Sequence, residues 1–474
     1  MMHGGAGALA GLQSLLGPAQ FLTAAADVEP FLVDQRKLYR GRALGVVLPR
    51  NVEDVSRILR FCGDARIGVV PHGGNTSYCG GATPDESGTQ LVLSLRRLNR
   101  VRGVDALNSA MVVEAGCLLT NVQQAATAAG LFFPLSLGSQ GSCQIGGNLA
   151  TNAGGTNVLR YGMMRDLVLG LEVVTADGRV LSSLPPLRKD NTGYDLKSLF
   201  VGSEGTLGVI TAATLKLFPA QRSVATALVA VLDVAAAVEL LRALRQESGD
   251  TVSSFELIPR AALDLTLRHV PGVASPFGQP FDWCVLIELS SSRRDDTLHP
   301  LLESVLSSAA ARGAVLDAVL AKNDRERAQF WRIRENIPEA QRKHGASLKH
   351  DISVPVASMP DFIARAGSWI EANVPDGVLV AYGHVGDGNL HFNISQAEAS
   401  SASSFLAREA SIKRVIHDLV RDFGGSFSAE HGIGRLKVGE LAQYSTPAEL
   451  ALMRSIKVAF DPRGIMNPGK VLAV

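Results

Sequence analysis

Two glycine-rich segments constrain this chain more than any other feature. Val70–Gly81 reads VPHGGNTSYCGG and Gly138–Gly155 reads GSQGSCQIGGNLATNAGG. Each follows a strand-like run, and each sets glycine beside Asn, Thr and Ser. Glycine lets backbone N–H groups approach an anion closely, while short polar side chains add donors. Neither segment is a G-x-G-x-x-G opening a helix after a strand, nor a Walker loop with Gly-Lys-Ser/Thr. In a chain with 47 glycines, either loop alone would more often be a structural turn. Two together point to a pyrophosphate, and so to a dinucleotide.

Composition removes other classes. At 474 residues and 46% hydrophobic content, the chain is globular and long enough for two or three domains. A net charge of +1 gives no case for nucleic acid or an anionic membrane as partner. Cys62, Cys79, Cys117, Cys143 and Cys284 are odd in number, scattered and without C-x-x-C spacing. They read as small buried thiols in a reducing compartment, so the cytoplasm is expected. The opening MMHGGAGALAGLQSLLGPAQFL has no Lys or Arg ahead of its apolar part and fits neither a secretory signal nor a transit peptide. No window of about 18 apolar residues lacks a charge, so no membrane span is expected.

Three zones follow one another. Residues to about 217 are glycine-rich with short β-branched runs such as QLVLSL and AMVVEAG. From about 222 to 380, strand-like SVATALVAVL and FDWCVLIELS alternate with amphipathic helical runs such as DTLHPLLESVLSSAAARG. Asp233 is placed to cap a helix over VAAAVELLRALR. The last zone is helical, with EASIKRVIHDLVRDFGG and then TPAELALMRSIKVAF, closed by Asp461-Pro462.

Between the last two zones lies AYGHVGDGNLHFN, residues 381–393, which places two of the chain's 10 His around Gly-Asp-Gly. Asp387-Gly388 between alternating apolar residues predicts a two-residue type I′ hairpin turn. That register pairs His384 with His391, about 5 Å apart at Cβ, and Tyr382 with Asn393 on the same face. A polar pair on an exposed hairpin is the plain alternative. A metal site needs a third ligand.

The order PHGGNTS, GSCQIGGNLATNAGG, RYGMMRDLVLGLEVVTADG and GYDLKSLFVGSEGTLGVIT resembles the FAD-binding domain of the vanillyl-alcohol-oxidase/PCMH-type flavoproteins. HVGDGNLHFN, SAEHGIGRLK and FDPRGIMNPGK extend the resemblance over nearly the whole chain. The full set is similar to the D-2-hydroxyacid dehydrogenase branch. Leu187–Lys197 and Ser347–Pro355 look most like the D-2-hydroxyglutarate dehydrogenases. The resemblance implies an α+β fold with four parts: an N-terminal segment over 1–37 and a two-subdomain PCMH-type FAD-binding domain over 38–218. An antiparallel-sheet-plus-helices substrate domain follows over 219–425, then a small helical C-terminal region over 426–474.

The resemblance also implies site residues. FAD, held non-covalently, would be contacted by Pro71, Gly73, Gly74, Asn75 and Thr76 from the first loop. Gly138, Ser142, Gly146, Gly147, Asn148, Thr151, Asn152 and Gly154 would serve from the second, with Gly205, Ile210 and Asn467 beyond them. His384, His391 and Glu430 would bind a divalent ion, since two His plus a carboxylate with open positions suits catalytic Zn²⁺. Mn²⁺ and Fe²⁺ accept the same donors. His431, pointing the opposite way from its neighbour Glu430, would be the base for a substrate hydroxyl. Arg334 would grip a substrate carboxylate bidentately, Lys349 a second carboxylate, and Asn393 the C1 carboxylate or hydroxyl. Pro338 stands where the hydroxyglutarate enzymes often carry Thr, and His72 where many relatives have Gln or Arg.

The expected activity is oxidation of D-2-hydroxyglutarate to 2-oxoglutarate, with hydride passing from C2 to flavin N5. D-lactate or glycolate dehydrogenation by the same machinery is the alternative. Outside the enzyme class, a non-catalytic FAD-binding subunit would be expected to lose the His384, His391, Glu430 and His431 set, which this chain keeps. Electron-transfer flavoprotein is the implied acceptor, and a homodimer is compatible with the pattern.

Overall fold

The computed structural model describes residues 4–295, 297–397 and 401–473. The chain divides into two compact units: Met1–Gly155, Gly162–Ala220 and Glu430–Val474 form the first, Thr156–Tyr161 and Gln221–Ala429 the second. Where the sequence suggests four parts, the N-terminal segment and the C-terminal helices both join the first unit.

Among the described residues, the first unit contains two larger sheets and a two-stranded one. Strands β1 (Phe21–Leu22), β2 (Gly45–Val47), β3 (Val69–His72) and β4 (Leu91–Ser94) lie in the order β1-β2-β4-β3. The last three are parallel and β1 is antiparallel. The helix Val52–Ala65 starts where the Asn51 side chain accepts from the Asp54 amide, a standard N-cap. It lays Val55, Ile58, Leu59 and Cys62 into a core shared with Val69, Leu91 and Leu93. Strands β5 (Val101–Asp105) and β6 (Ala110–Glu114) open the second sheet. After the short β7 (Leu131–Phe132) it continues with β8 (Val168–Val174), β9 (Val180–Ser183) and β10 (Val209–Lys216), antiparallel in the order β5-β6-β10-β8-β9. Strand β11 (Phe218–Pro219) pairs with β7.

In the second unit, β12 (Ser223–Val231), β13 (Val252–Pro259), β14 (Trp283–Ser291) and β15 (Val315–Leu320) form an antiparallel sheet ordered β13-β14-β12-β15. Both faces are covered. Ala225, Ala227 and Val229 enter one core with helices Val234–Ser248 and Leu298–Ala311. Leu228 and Ala230 enter another with Phe330, Ile333 and Ile337. Two buried faces explain why Val224–Leu232 is apolar at every position except Thr226 rather than alternating. Asp233 caps its helix as the sequence predicts, accepting from the Ala236 amide. A second sheet is built around β19 (Asn389–Gln396), with β16 (Ser347–Leu348), β17 (Asp351–Ser353) and β18 (Gly377–Tyr382) all pairing to it.

Candidate active site

The first unit's two glycine-rich loops meet each other. A Cβ on Gly74 would lie 2.1 Å from the Ser142 carbonyl oxygen, and one on Gly146 would lie 2.7 Å from Ala115 Cβ. Only glycine permits that approach. The second loop contains a short helix, Ile145–Ala150. Around these loops the buried His72 ring nitrogens, Gln144 Oε1, Asn148 Oδ1 and Asn467 Oδ1 have no hydrogen-bond partner. Orphans of this kind are rare in proteins and call for a ligand. A group offering several polar atoms over a long span, as FAD does, fits them. Other predicted contacts are partly used inside the protein: Asn75 Nδ2 donates to Val33 O at 2.8 Å, Thr151 Oγ1 to Gly147 O at 2.9 Å, and Asn152 Oδ1 accepts from Arg165 N. Asn467 Nδ2 donates to the Gly81 and Glu204 carbonyls, leaving only its oxygen unused. Burial pushes the His72 imidazole down to about 4, so it is neutral.

In the second unit the hairpin differs from its predicted form. Strand β18 ends at Tyr382, which pairs with His391, while Val380 pairs with Asn393. The predicted His384–His391 and Tyr382–Asn393 pairs are therefore not ladder pairs. At Gly383 (φ +138°) the chain leaves β19 and exchanges backbone hydrogen bonds with Leu257 of β13 at 2.8 and 3.1 Å. Pairing with a neighbouring sheet outcompetes the two-residue turn that Asp387-Gly388 favours locally. The His384 carbonyl instead closes a wider loop, accepting from the Asp387 and Asn389 amides. The two imidazoles still end close, with ring centroids 5.6 Å apart and nearly perpendicular.

Their surroundings are tightly paired. His384 Nδ1 lies 2.7 Å from Glu256 Oε1, and Arg334 Nε donates to Glu256 Oε2 at 2.7 Å. Burial alone would raise the Glu256 carboxyl. The charges and hydrogen bonds of His384 and Arg334 reverse that and hold it at about 2. The Arg334 guanidinium also stacks over the Tyr382 ring at 4.9 Å, and that ring sits 5.0 Å from the His391 ring. Asn393 is committed too: its oxygen accepts from His350 N and its nitrogen donates to Gln341. Lys349 is exposed. Arg334 and Asn393, expected to face substrate, are thus given protein partners.

The Ala429 amide donates to the carbonyl of Asp351, the ladder partner of His391. Glu430 is the next residue in the chain. One ligand atom each from His384, His391 and Glu430 falls within 4.8 Å of the others, so a small side-chain shift would bring all three onto one ion. In the first unit, His431 packs edge-on to Tyr78, with centroids 4.8 Å apart. Its loop is clamped by Glu204, whose carboxylate accepts from the Ile433 and Gly434 amides, both at 2.7 Å.

The sequence reading missed Glu256 and Glu204. Glu256 had a signal: an acid within VSSFELIP, a strand buried at every position, must find a buried partner. Glu204 had none, because its role depends on a loop more than 200 residues away.

The match to FAD linked oxidases, C-terminal domain, runs over residues 220–471, and that to an FAD binding domain over residues 43–183. A D-2-hydroxyglutarate dehydrogenase, mitochondrial, from Arabidopsis thaliana is 39% identical, covering 97% of this chain and 80% of that protein. One from Xanthomonas citri pv. viticola is 36% identical over 97% of this chain and 96% of its own. Among solved structures, p-cresol methylhydroxylase with substrate bound is similar with a TM-score of 0.75 at 17% identity, covering 99% of this chain and 97% of that one. At that identity the likeness concerns the fold.

Proposed function

This chain belongs to the family of FAD-linked oxidases and is an FAD-dependent oxidoreductase, and we propose that it oxidises a D-2-hydroxyacid, D-2-hydroxyglutarate foremost, to the 2-oxoacid. The observation that carries the reading is the convergence of His384, His391 and Glu430, with His431 next in the chain. The names of the Arabidopsis and Xanthomonas relatives support the substrate.

Bound FAD supplies an acceptor for the C2 hydride, and a divalent ion, Zn²⁺ or Mn²⁺, supplies Lewis acidity toward the substrate oxygens. His384, His391 and Glu430 would hold that ion. His431 takes the hydroxyl proton, so that one hydride and one proton leave together and the alcohol becomes a ketone. Its loop would misaim without Glu204, which fixes two successive backbone amides. The orphaned Gln144, Asn148 and Asn467 oxygens would hold the flavin nucleotide. Electron-transfer flavoprotein is the proposed acceptor. The five cysteines are all buried, with no disulfide among the described residues. No helix among the described residues is long and apolar enough to cross a membrane.

One observation favours the second reading, D-lactate or glycolate: Arg334 already spends its Nε–H on Glu256, so fewer of its donors are left for a distal carboxylate. Anaerobic mixing with D-2-hydroxyglutarate, D-lactate and glycolate decides, with flavin bleaching as the readout. D-2-hydroxyglutarate should bleach fastest, and no bleaching by any of the three would sink the proposal. Lys349→Ala should lower kcat/KM for D-2-hydroxyglutarate about 10- to 150-fold, the worth of one charged hydrogen bond. D-lactate should be far less affected.

A further inference from the structure

The sheet face toward the helix Asp324–Glu335 carries two buried acids, Glu256 on β13 and Glu288 on β14. Both meet cations from that helix. Arg327, Trp331 and Arg334 fall at i, i+4 and i+7, on one helical face. Glu288 is closed within the protein: Arg327 donates to both its oxygens, and Trp331 and Thr226 donate as well. Glu256 is different. Arg334 takes one oxygen and the other goes to His384, a side chain that ends at the His pair. Glu256 is 1% exposed, Arg334 6% and His384 7%, so water competes little for these bonds.

We infer that Glu256 is a positioning residue for a metal site at His384, and that Arg334 braces Glu256 through its Nε–H. The inference rests on the reading of His384 as a ligand. Accepting from Nδ1–H, Glu256 fixes the tautomer and turns Nε2 outward as the ligand atom. A carboxylate behind a ligating imidazole also raises its donor strength. Arg334 holds Glu256 in place, because an unpaired carboxylate at this depth would protonate or swing to another donor. Tyr382 extends the brace, touching the Arg334 guanidinium on one side and the His391 ring on the other.

The test is Zn²⁺ affinity of the purified holoenzyme, measured by chelator competition, beside FAD content per chain. Glu256→Gln should weaken Zn²⁺ binding about 10- to 100-fold, as loss of an outer partner does, with FAD content unchanged. Its amide must turn an N–H toward either His384 or Arg334, so one bond is lost. Two double variants guard against a folding defect. Glu256→Gln with Arg334→Met removes both charges but keeps an acceptor for Nδ1–H, and should recover most of the affinity. Glu256→Leu with Arg334→Met keeps no acceptor and should stay weak. Equal Zn²⁺ affinity in wild type and Glu256→Gln, or equal affinities in the two double variants, would overturn the inference. A wild-type enzyme without stoichiometric metal would instead overturn the metal reading itself, a result told apart by its appearing before any substitution.

Discussion

In the first unit, His72, Gln144, Asn148 and Asn467 keep buried polar atoms without partners around the glycine loops. In the second, Glu256, Arg334, His384 and Asn393 are all paired within the protein, although Asn389 keeps an orphaned Oδ1. The difference matches the ligands proposed. A dinucleotide brings many hydrogen-bonding atoms of its own, so its cradle can leave groups unpaired until it arrives. A metal ion brings only charge and needs donors already aimed, so the surrounding bonds must close without it.

The sharpest way to separate the two regions is His431→Ala. His431 belongs to the first unit, and its loop is held by Glu204. The variant should lose about 10²- to 10⁴-fold in kcat, the worth of a general base, while retaining both metal and FAD. Metal analysis and flavin absorbance check the retention, and an unchanged kcat would remove His431 from the chemistry.

The next effect is a pH dependence carried by His72 in the first unit. His72 in the folded chain has its pKa lowered to about 4, against about 6.5 unfolded. As pH falls through 6.5 the unfolded chain binds a proton first, so stability is intact above 6.5 and declines from there to about 4. The full loss approaches about 3 kcal/mol. Urea unfolding of the FAD-free protein at pH 7 and pH 5 should show the decline, and His72→Gln should flatten it. A slope unchanged by that substitution would assign the acid sensitivity elsewhere.

The smallest effect compares two asparagines directly. Asn148 has an orphaned oxygen, whereas Asn393 has both ends paired. Asn148→Leu should cost FAD affinity by about 1–3 kcal/mol and leave the melting temperature of the FAD-free protein unchanged or higher. Asn393→Leu should do the reverse, destabilising by a similar amount with FAD affinity intact, because Gln341 and the His350 amide lose their partner. If both substitutions destabilise the FAD-free protein alike, the contrast between the units is lost.

Local chemistry made much of this protein legible. Asp233 and Thr446 each have a side chain that accepts a hydrogen bond three residues on, and both helix starts follow from the sequence alone. The largely apolar run of β12 announced a strand leading into a helix. The glycine pairs announced close backbone approach, since no other residue tolerates it. The tertiary structure decided what depends on distant partners. Register in β18 and β19 followed Leu257, more than 120 residues away, because a two-residue turn is worth less than an added bridge between sheets. Arg334 turned to Glu256 because a strand buried on both faces leaves an acid no water. Spacing along the chain names the residues that can meet a ligand. Which of them are spent on each other is set by burial, which only the packed chain defines.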